Sequence, residues 1–376
     1  MLSIQVSHSI WKSNLTEVCM RNIFVNQSLS LLILFSVTIL TACAPVVTPS
    51  TSINHEATIS EAANAAPEEA ANATMDTAET TPVAEEAAPT AESVTRTITD
   101  AKGNEVAIPA HPKRIVTLTE IELDSALALG LKPVGSVNGR GQPGLPAYLG
   151  DQTEGILSVG SLAEPSLEQI VALKPDLILV GAMIPQIEAL APELSQIAPV
   201  VATFQANDDW KTAFKSIAHV LNLDDRADAF LAEYNQRVSA IRTAIPAGAE
   251  AAVVRWMPQG PVVMMPQTFS NRILADVGFT PPAELQTLAG NHGAHSDPLS
   301  LEALESIDKD WLFVGALNAE GASALEEALK DPLVQSLDVV KQGHLILVDG
   351  AVWTSIGGPL AALQVLDVIE QAVTAQ

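Results

Sequence analysis

Arg255 stands in the run AAVVRWM at 251–257, an apolar stretch suited to a buried strand. A guanidinium there loses its hydration and needs an anion in return. Its planar fork suits the paired oxygens of a carboxylate or a catecholate. Arg140, in the Gly/Pro-rich stretch Gly139 to Gly150, is the natural partner across a cleft, and Arg272 opens a helical pattern nearby. The plain alternatives are a structural ion pair at a strand end and a solvated loop cation. Trp256 and Trp353 are candidates to wall a ligand cavity, and core plugs are the alternative. His292 and His295 flank Gly293 in a polar loop and could approach a metal, although loop histidines are commonly solvated. His219, His292, His295 and His344 are dispersed, which argues against a zinc-scavenging cluster. The chain has no Gly-x-Ser-x-Gly, no His-Glu-x-x-His, no phosphate loop and no cysteine beyond Cys43. The residues point to holding an anion rather than transforming one.

The elements that must position these side chains are organised around Asp224 to Ile245. There Ala227, Phe230, Leu231, Tyr234, Val238, Ile241 and Ile245 recur in steps of three and four, one stripe of a helix. Asp224 and Asp225 suit the start of that helix, and Pro246 and Gly248 stop it. On either side one motif is written twice. SLEQIVALKPDLILV at 166–180 and SLEALESIDKDWLFV at 300–314 share a single offset, aligning Ser166, Glu168 and Asp176 with Ser300, Glu302 and Asp310. Helical patterns alternate with short apolar runs throughout 96–376, as in largely parallel sheets covered on both faces. The expectation is an α/β chain. Two three-layer α/β lobes, at 96–222 and 247–376, each with a largely parallel sheet, are joined by one long rigid helix at 223–246. The pattern further predicts a hairpin near 97–108 and helices over 120–129, 300–307, 322–337 and 359–373.

Ahead of the lobes, Leu29 to Ala42 is a 14-residue apolar run, short for a membrane span and suited to a signal segment. It leads into Cys43, so 1–43 reads as a signal peptide with a lipidation cysteine. A non-lipidated signal or a short anchor is the alternative, and Met20 is an alternative start. Residues 44–95 are rich in Ala, Glu, Thr and Pro and read as an extended tether. Nine acids and no Lys or Arg fall there, so about −16 of the net charge of −25 belongs to the rest of the chain. That balance excludes a nucleic-acid partner, which would demand basic residues.

The phrases HPKRIVTL (111–118), LALGLKPVG (127–135), SLEQIVALKPDL (166–177) and GHL (343–345) through Trp353 to GGP (357–359) resemble the substrate-binding lipoproteins of bacterial ABC importers for iron–siderophore complexes. These have a rigid helix between their lobes. The resemblance implies a monomer on the outer face of the cytoplasmic membrane, extracytoplasmic or periplasmic, lipidated at Cys43. It implies no enzymatic activity and no cofactor; the ligand is Fe3+ as a siderophore complex, held in the inter-lobe cleft by Arg140, Arg255, Trp256, Arg272, Trp353 and His292. Glu168 and Glu302 would dock onto arginines of the permease dimer, which works with its ATPase subunits. Glutamates favoured at helix starts are the alternative for that pair. Some relatives ligate iron with tyrosine, but this chain has only Tyr148 and Tyr234, neither well sited. The siderophore is therefore expected to supply every iron ligand, with no metal bound directly by protein. Cobalamin or heme binding in the same class is the near alternative. An enzyme on a related two-lobe scaffold and a surface adhesin are distant ones.

Overall fold

The computed structural model describes residues 94–181, 185–206, 208–288 and 293–374. His292 and Cys43, with the signal segment and tether, lie outside them. An antiparallel hairpin of β1 (Thr95–Thr99) and β2 (Glu105–Pro109) precedes the first lobe. That lobe runs β3 (Ile115–Thr117), α1 (Glu120–Ala128), β4 (Gly135–Ser136), β5 (Leu157–Ser158), α2 (Leu167–Leu173), β6 (Leu177–Gly181), α3 (Pro185–Ser195), β7 (Val200–Phe204) and α4 (Trp210–Leu221). Its five strands are parallel in the order β5-β4-β3-β6-β7. The linking helix is α5 (Asp224–Arg242). The second lobe has β8 (Ala251–Met257), β9 (Gly260–Val263), α6 (Phe269–Val277), β10 (Trp311–Ala316), α7 (Ala319–Ala328), α8 (Pro332–Ser336), α9 (Asp338–Lys341), β11 (Leu345–Leu347), α10 (Gly350–Thr354) and α11 (Pro359–Thr374). Its sheet order is β11-β10-β8-β9, parallel except for the β8–β9 hairpin.

Strand alternation partitions the core. On β3, β6, β8 and β10 one set of residues (Ile115, Leu177, Leu179, Ala251, Val253, Trp311, Phe313) enters a core shared by both lobes, α5 and α11. The alternate set fills a separate core on the far face of each sheet: Val116, Ile178 and Val180 in the first lobe, Ala252, Val254 and Leu312 in the second. Spreading the lobes widely would expose the shared core to water at about 25 cal/mol per Å² of apolar area. Polar ties cross the same seam. Asp276 on α6 accepts from Lys211 Nζ of α4 at 2.7 Å and from Tyr234 Oη of α5 at 2.7 Å. Excursions between the lobes are therefore small ones.

Helix α5 buries Ala227, Leu231, Tyr234, Val238 and Ile241, five of the seven stripe positions. It ends at Arg242, short of Ile245, where Ala244 and Ile245 donate to Ile241 and Arg242 carbonyls in a closing turn. The duplicated motif has a physical basis. Asp176, before β6, accepts from the backbone N–H of Lys113 and Arg114 just ahead of β3. Asp310, before β10, accepts from Glu250 N just ahead of β8. Each aspartate pins the start of the neighbouring parallel strand. Ser166 likewise caps its helix by accepting from Gln169 N, and Ser300 accepts from Ala303 N.

Three expectations are corrected. The helix expected over 300–307 is a 3-10 turn over Glu302–Ile307. The one expected over 322–337 is broken in two, because Asp331 caps a new start and Pro332 occupies its first turn. Helix α11, expected to complete the second lobe, packs on α6 and α10 there but also on α1 and α5, so it ties the two lobes together.

Candidate functional site

Parallel strands of both lobes point their carboxyl ends at a cleft of about 470 Å³. Gln142, Pro143, Gly144, Leu145 and Ala147, from the loop after β4, line one side. Ala316 and Leu317 after β10, with Asp349 and Ala351 at the start of α10, line the other. Gly350 is required here. A Cβ on it would lie 2.2 Å from the Ala316 carbonyl oxygen, so only glycine lets α10 sit down on the end of β10.

Arg255 lies at the carboxyl end of β8 and is 9% exposed. Its Nε donates to Thr354 Oγ1 at 3.0 Å and its Nη2 to the Thr354 carbonyl oxygen. Thr354 is aimed from α10, where its hydroxyl also donates to Gly350 O. Among the described residues no carboxylate pairs with Arg255. Burial first, and then the positive charge of Arg140, push its pKa down to about 10. The two guanidiniums thus feel each other's charge, although neither is among the residues that line the cleft. Arg140 is exposed on the loop after β4, and its backbone N–H donates to Glu120 Oε1 at 2.5 Å. Two cations within electrostatic reach of each other favour an anion between them, although Asp349 on the cleft wall offsets part of that charge.

The remaining candidates do not join them. Arg272 donates from Nε to Gln267 O at 2.7 Å and pairs across the lobes with Asp209 at 3.6 Å, so it ties α6 to the start of α4. Trp256 points to the opposite face of β8 from Arg255 and packs in the far core of the second lobe. Trp353, 1% exposed, stacks on Phe313 with centroids 4.6 Å apart. Period-two alternation explains Trp256, and the helical start of α10, expected to be loop, explains Trp353. Both are core residues, so tertiary packing corrects their reading as cleft walls. His295 is half-buried, its Nδ1 2.7 Å from Ser296 O. Tyr148 and Tyr234 donate to Asp124 and Asp276, 2.8 and 2.7 Å away, which commits both hydroxyls. Among the described residues no group of three or more His, Cys, Asp or Glu could hold a metal ion.

Sequence reasoning missed the acids of α1. Glu120, Glu122 and Asp124, read only as part of a helix, are all buried. Glu122 accepts from Thr203 Oγ1 at 2.6 Å and Leu118 N at 3.2 Å, and burial pushes its pKa up to about 7. Asp124 accepts from the backbone N–H of Leu360 and Ala361, at 2.7 and 3.0 Å, clamping the start of α11; burial raises it to about 6. Glu120 accepts from Ser355 Oγ of the second lobe at 2.8 Å, and burial raises it too. Three acids in the segment TEIELD, directly after the first strand, are the signal that could have found them.

Glu168 and Glu302 are exposed in corresponding first turns, on α2 and the 3-10 turn. The backbone N–H of Glu302 and the Ser300 hydroxyl hold its carboxyl below the usual range. The carbonyls at the other end of α2, Leu173 and Lys174, accept from the Arg114 guanidinium.

Residues 115–352 match the periplasmic binding protein family. The chain belongs to that family. It is 35% identical over 288 residues to a probable siderophore-binding lipoprotein, YfiY, of Bacillus subtilis, covering 74% of this chain and 87% of the relative. It is 29% identical over 270 residues to the achromobactin-binding periplasmic protein of Dickeya dadantii, covering 68% and 85%. The crystal structure of Staphylococcus aureus SirA complexed with staphyloferrin B superposes with a TM-score of 0.65 at 26% identity, covering 74% of this chain and 99% of that one. The two-lobe α/β architecture read from the sequence is that of these binding proteins.

Proposed function

We propose that this chain is the lipid-anchored substrate-binding protein of an ABC importer, holding a ferric siderophore in its inter-lobe cleft and presenting it to the permease. One observation carries the reading: Arg255 is buried at the carboxyl end of β8, bonded to Thr354 and without a carboxylate partner among the described residues, within reach of the charge of Arg140. Such a pair suits the anionic oxygens of a carboxylate or catecholate complex. The names of the relatives support this cargo class. With both tyrosine hydroxyls committed within the fold, the siderophore supplies the iron ligands. The chain acts as a monomer and a carrier and catalyses nothing. Cys43 carries the lipid, and the acidic segment after it tethers the lobes to the outer face of the cytoplasmic membrane. Glu168 and Glu302, one exposed acid per lobe in duplicated positions, dock onto cations of the permease dimer and its associated ATPase subunits.

Calorimetric titration with ferric carboxylate and ferric catecholate complexes, heme and cobalamin tests this. Sub-micromolar binding of one anionic ferric complex is expected, weakened at least about tenfold by Arg255→Ala or Arg140→Ala, as for loss of one charge-assisted contact. Binding of heme or cobalamin alone would refute the cargo assignment.

A further inference from the structure

Glu120 bonds, through its side chain, both the Arg140 loop and the segment that holds Arg255. Its Oε1 accepts from the backbone N–H of Arg140, at 2.5 Å, in the first lobe. Its Oε2 accepts from the hydroxyl of Ser355, at 2.8 Å, in the second. Ser355 directly follows Thr354, whose hydroxyl and carbonyl hold the Arg255 guanidinium. One buried carboxylate therefore sets where the Arg140 loop begins and where the segment holding Arg255 lies, and its bond to Ser355 crosses the seam between lobes. We infer that Glu120 is a positioning and charge-selecting residue for the anion-binding cleft: it registers the Arg140 loop against the segment that holds Arg255 across the lobes and sets a buried negative charge beside them.

The inference rests on the anion-holding role proposed above. Two arginines held apart by nothing but solvent would repel, and their loops would relax away from each other. A carboxylate bonded to the Arg140 backbone and to Ser355, next to the threonine that holds Arg255, keeps the two segments in register. It also makes the cleft selective. A bound anion lies near a buried negative charge and favours Glu120 in its neutral form, so capture of an anionic cargo is linked to uptake of a proton. Affinity then rises as pH falls. The charged and titratable groups that face Glu120 are Arg140 from the loop after β4 and Tyr148. Tyr148 in turn faces Asp124, on the same helix as Glu120, and Asp349 ahead of α10, and Arg255 of β8 feels the charge of Arg140. Asp349 is already engaged by the N–H groups of Ala351 and Val352.

Two substitutions separate positioning from mere structure. In Glu120→Gln the amide oxygen still accepts from Arg140 N and the amide nitrogen donates to the Ser355 hydroxyl, so register is kept and charge is lost. In Glu120→Ala both bonds vanish. The dissociation constants of the full chain and both variants are measured between pH 5 and 8 with ferric citrate and with a ferric tris-catecholate of 2,3-dihydroxybenzoate. The expected results are about tenfold weaker binding in Glu120→Ala, as for loss of a charge-assisted contact, and undiminished binding in Glu120→Gln. The ratio of parent to Glu120→Gln constants should fall as pH falls. Equal constants for all three chains across the pH range, whatever happens to melting temperature, would overturn the inference and leave the cargo reading standing. No binding of either complex by the parent chain would overturn both.

Discussion

Glu122 offers the most quantitative test of how this fold handles its buried charge. It is fully buried on α1, with no cation among its bonding partners. Burial lifts its pKa from 4.5 to about 7, against the partial relief of bonds from Thr203, Thr119 and Leu118. Because the folded chain holds the proton more tightly than the unfolded one, this residue's stabilising contribution is complete below about pH 4.5. It is lost as pH rises to about 7 and is level beyond. At about 1.36 kcal/mol per pK unit the loss is on the order of 3 kcal/mol. In Glu122→Gln the amide oxygen can keep the Leu118 N–H. The amide nitrogen can donate to Thr203 Oγ1, whose hydroxyl then turns to the Val180 carbonyl oxygen 3.3 Å away. The bonds to Leu118 and Thr203 are both kept and no charge needs burying. Urea denaturation followed by circular dichroism should show the variant more stable than the parent by about 1–3 kcal/mol at pH 8, with the two nearly equal at pH 4.5. A variant less stable than its parent at pH 8 would refute the reasoning, because it would mean that the ionised carboxylate is favoured where it sits.

Three further outcomes follow from the same packing. Asp124→Ala strips the backbone donors at the start of α11 and the Tyr148 hydroxyl of their acceptor, so unfolding free energy should drop by about 2–4 kcal/mol in the same denaturation assay. Gly358→Ala would place a Cβ 2.7 Å from Asp124 Cγ; about 1–3 kcal/mol of destabilisation is expected from that overpacking, read as a lower urea midpoint. Glu168→Lys combined with Glu302→Lys should leave cargo affinity unchanged while abolishing cargo-stimulated ATP hydrolysis by the reconstituted importer, and undiminished stimulation would remove these glutamates from the docking surface.

Periodicity carries the fold class in this chain. The stripe through Ala227, Leu231, Tyr234, Val238 and Ile241 needs no tertiary partner to be legible, since 3.6-residue spacing of apolar side chains only makes sense on a helix with one buried face. The offset that relates Ser166 and Asp176 to Ser300 and Asp310 is likewise in the letters, and both pairs recur as a serine that accepts from the backbone N–H three residues on and a strand-pinning aspartate. Arg255 stood out because a charge inside an apolar strand demands an explanation, and Arg140 because it lies in the loop after an early strand. What the letters could not decide is which face a side chain takes and which distant element covers it. Trp256 and Arg255 are neighbours in sequence, yet the pleat sends one into the far core of the second lobe and the other to Thr354 of α10. Helix α11 reads as the end of the second lobe until Asp124, 236 residues before Leu360, is found holding its first turn. Glu120 and Ser355, 235 residues apart, meet only because the last segment of the chain crosses back. Local sequence spacing sets each element and its apolar face; contacts of that separation exist only after the lobes have closed on a shared core.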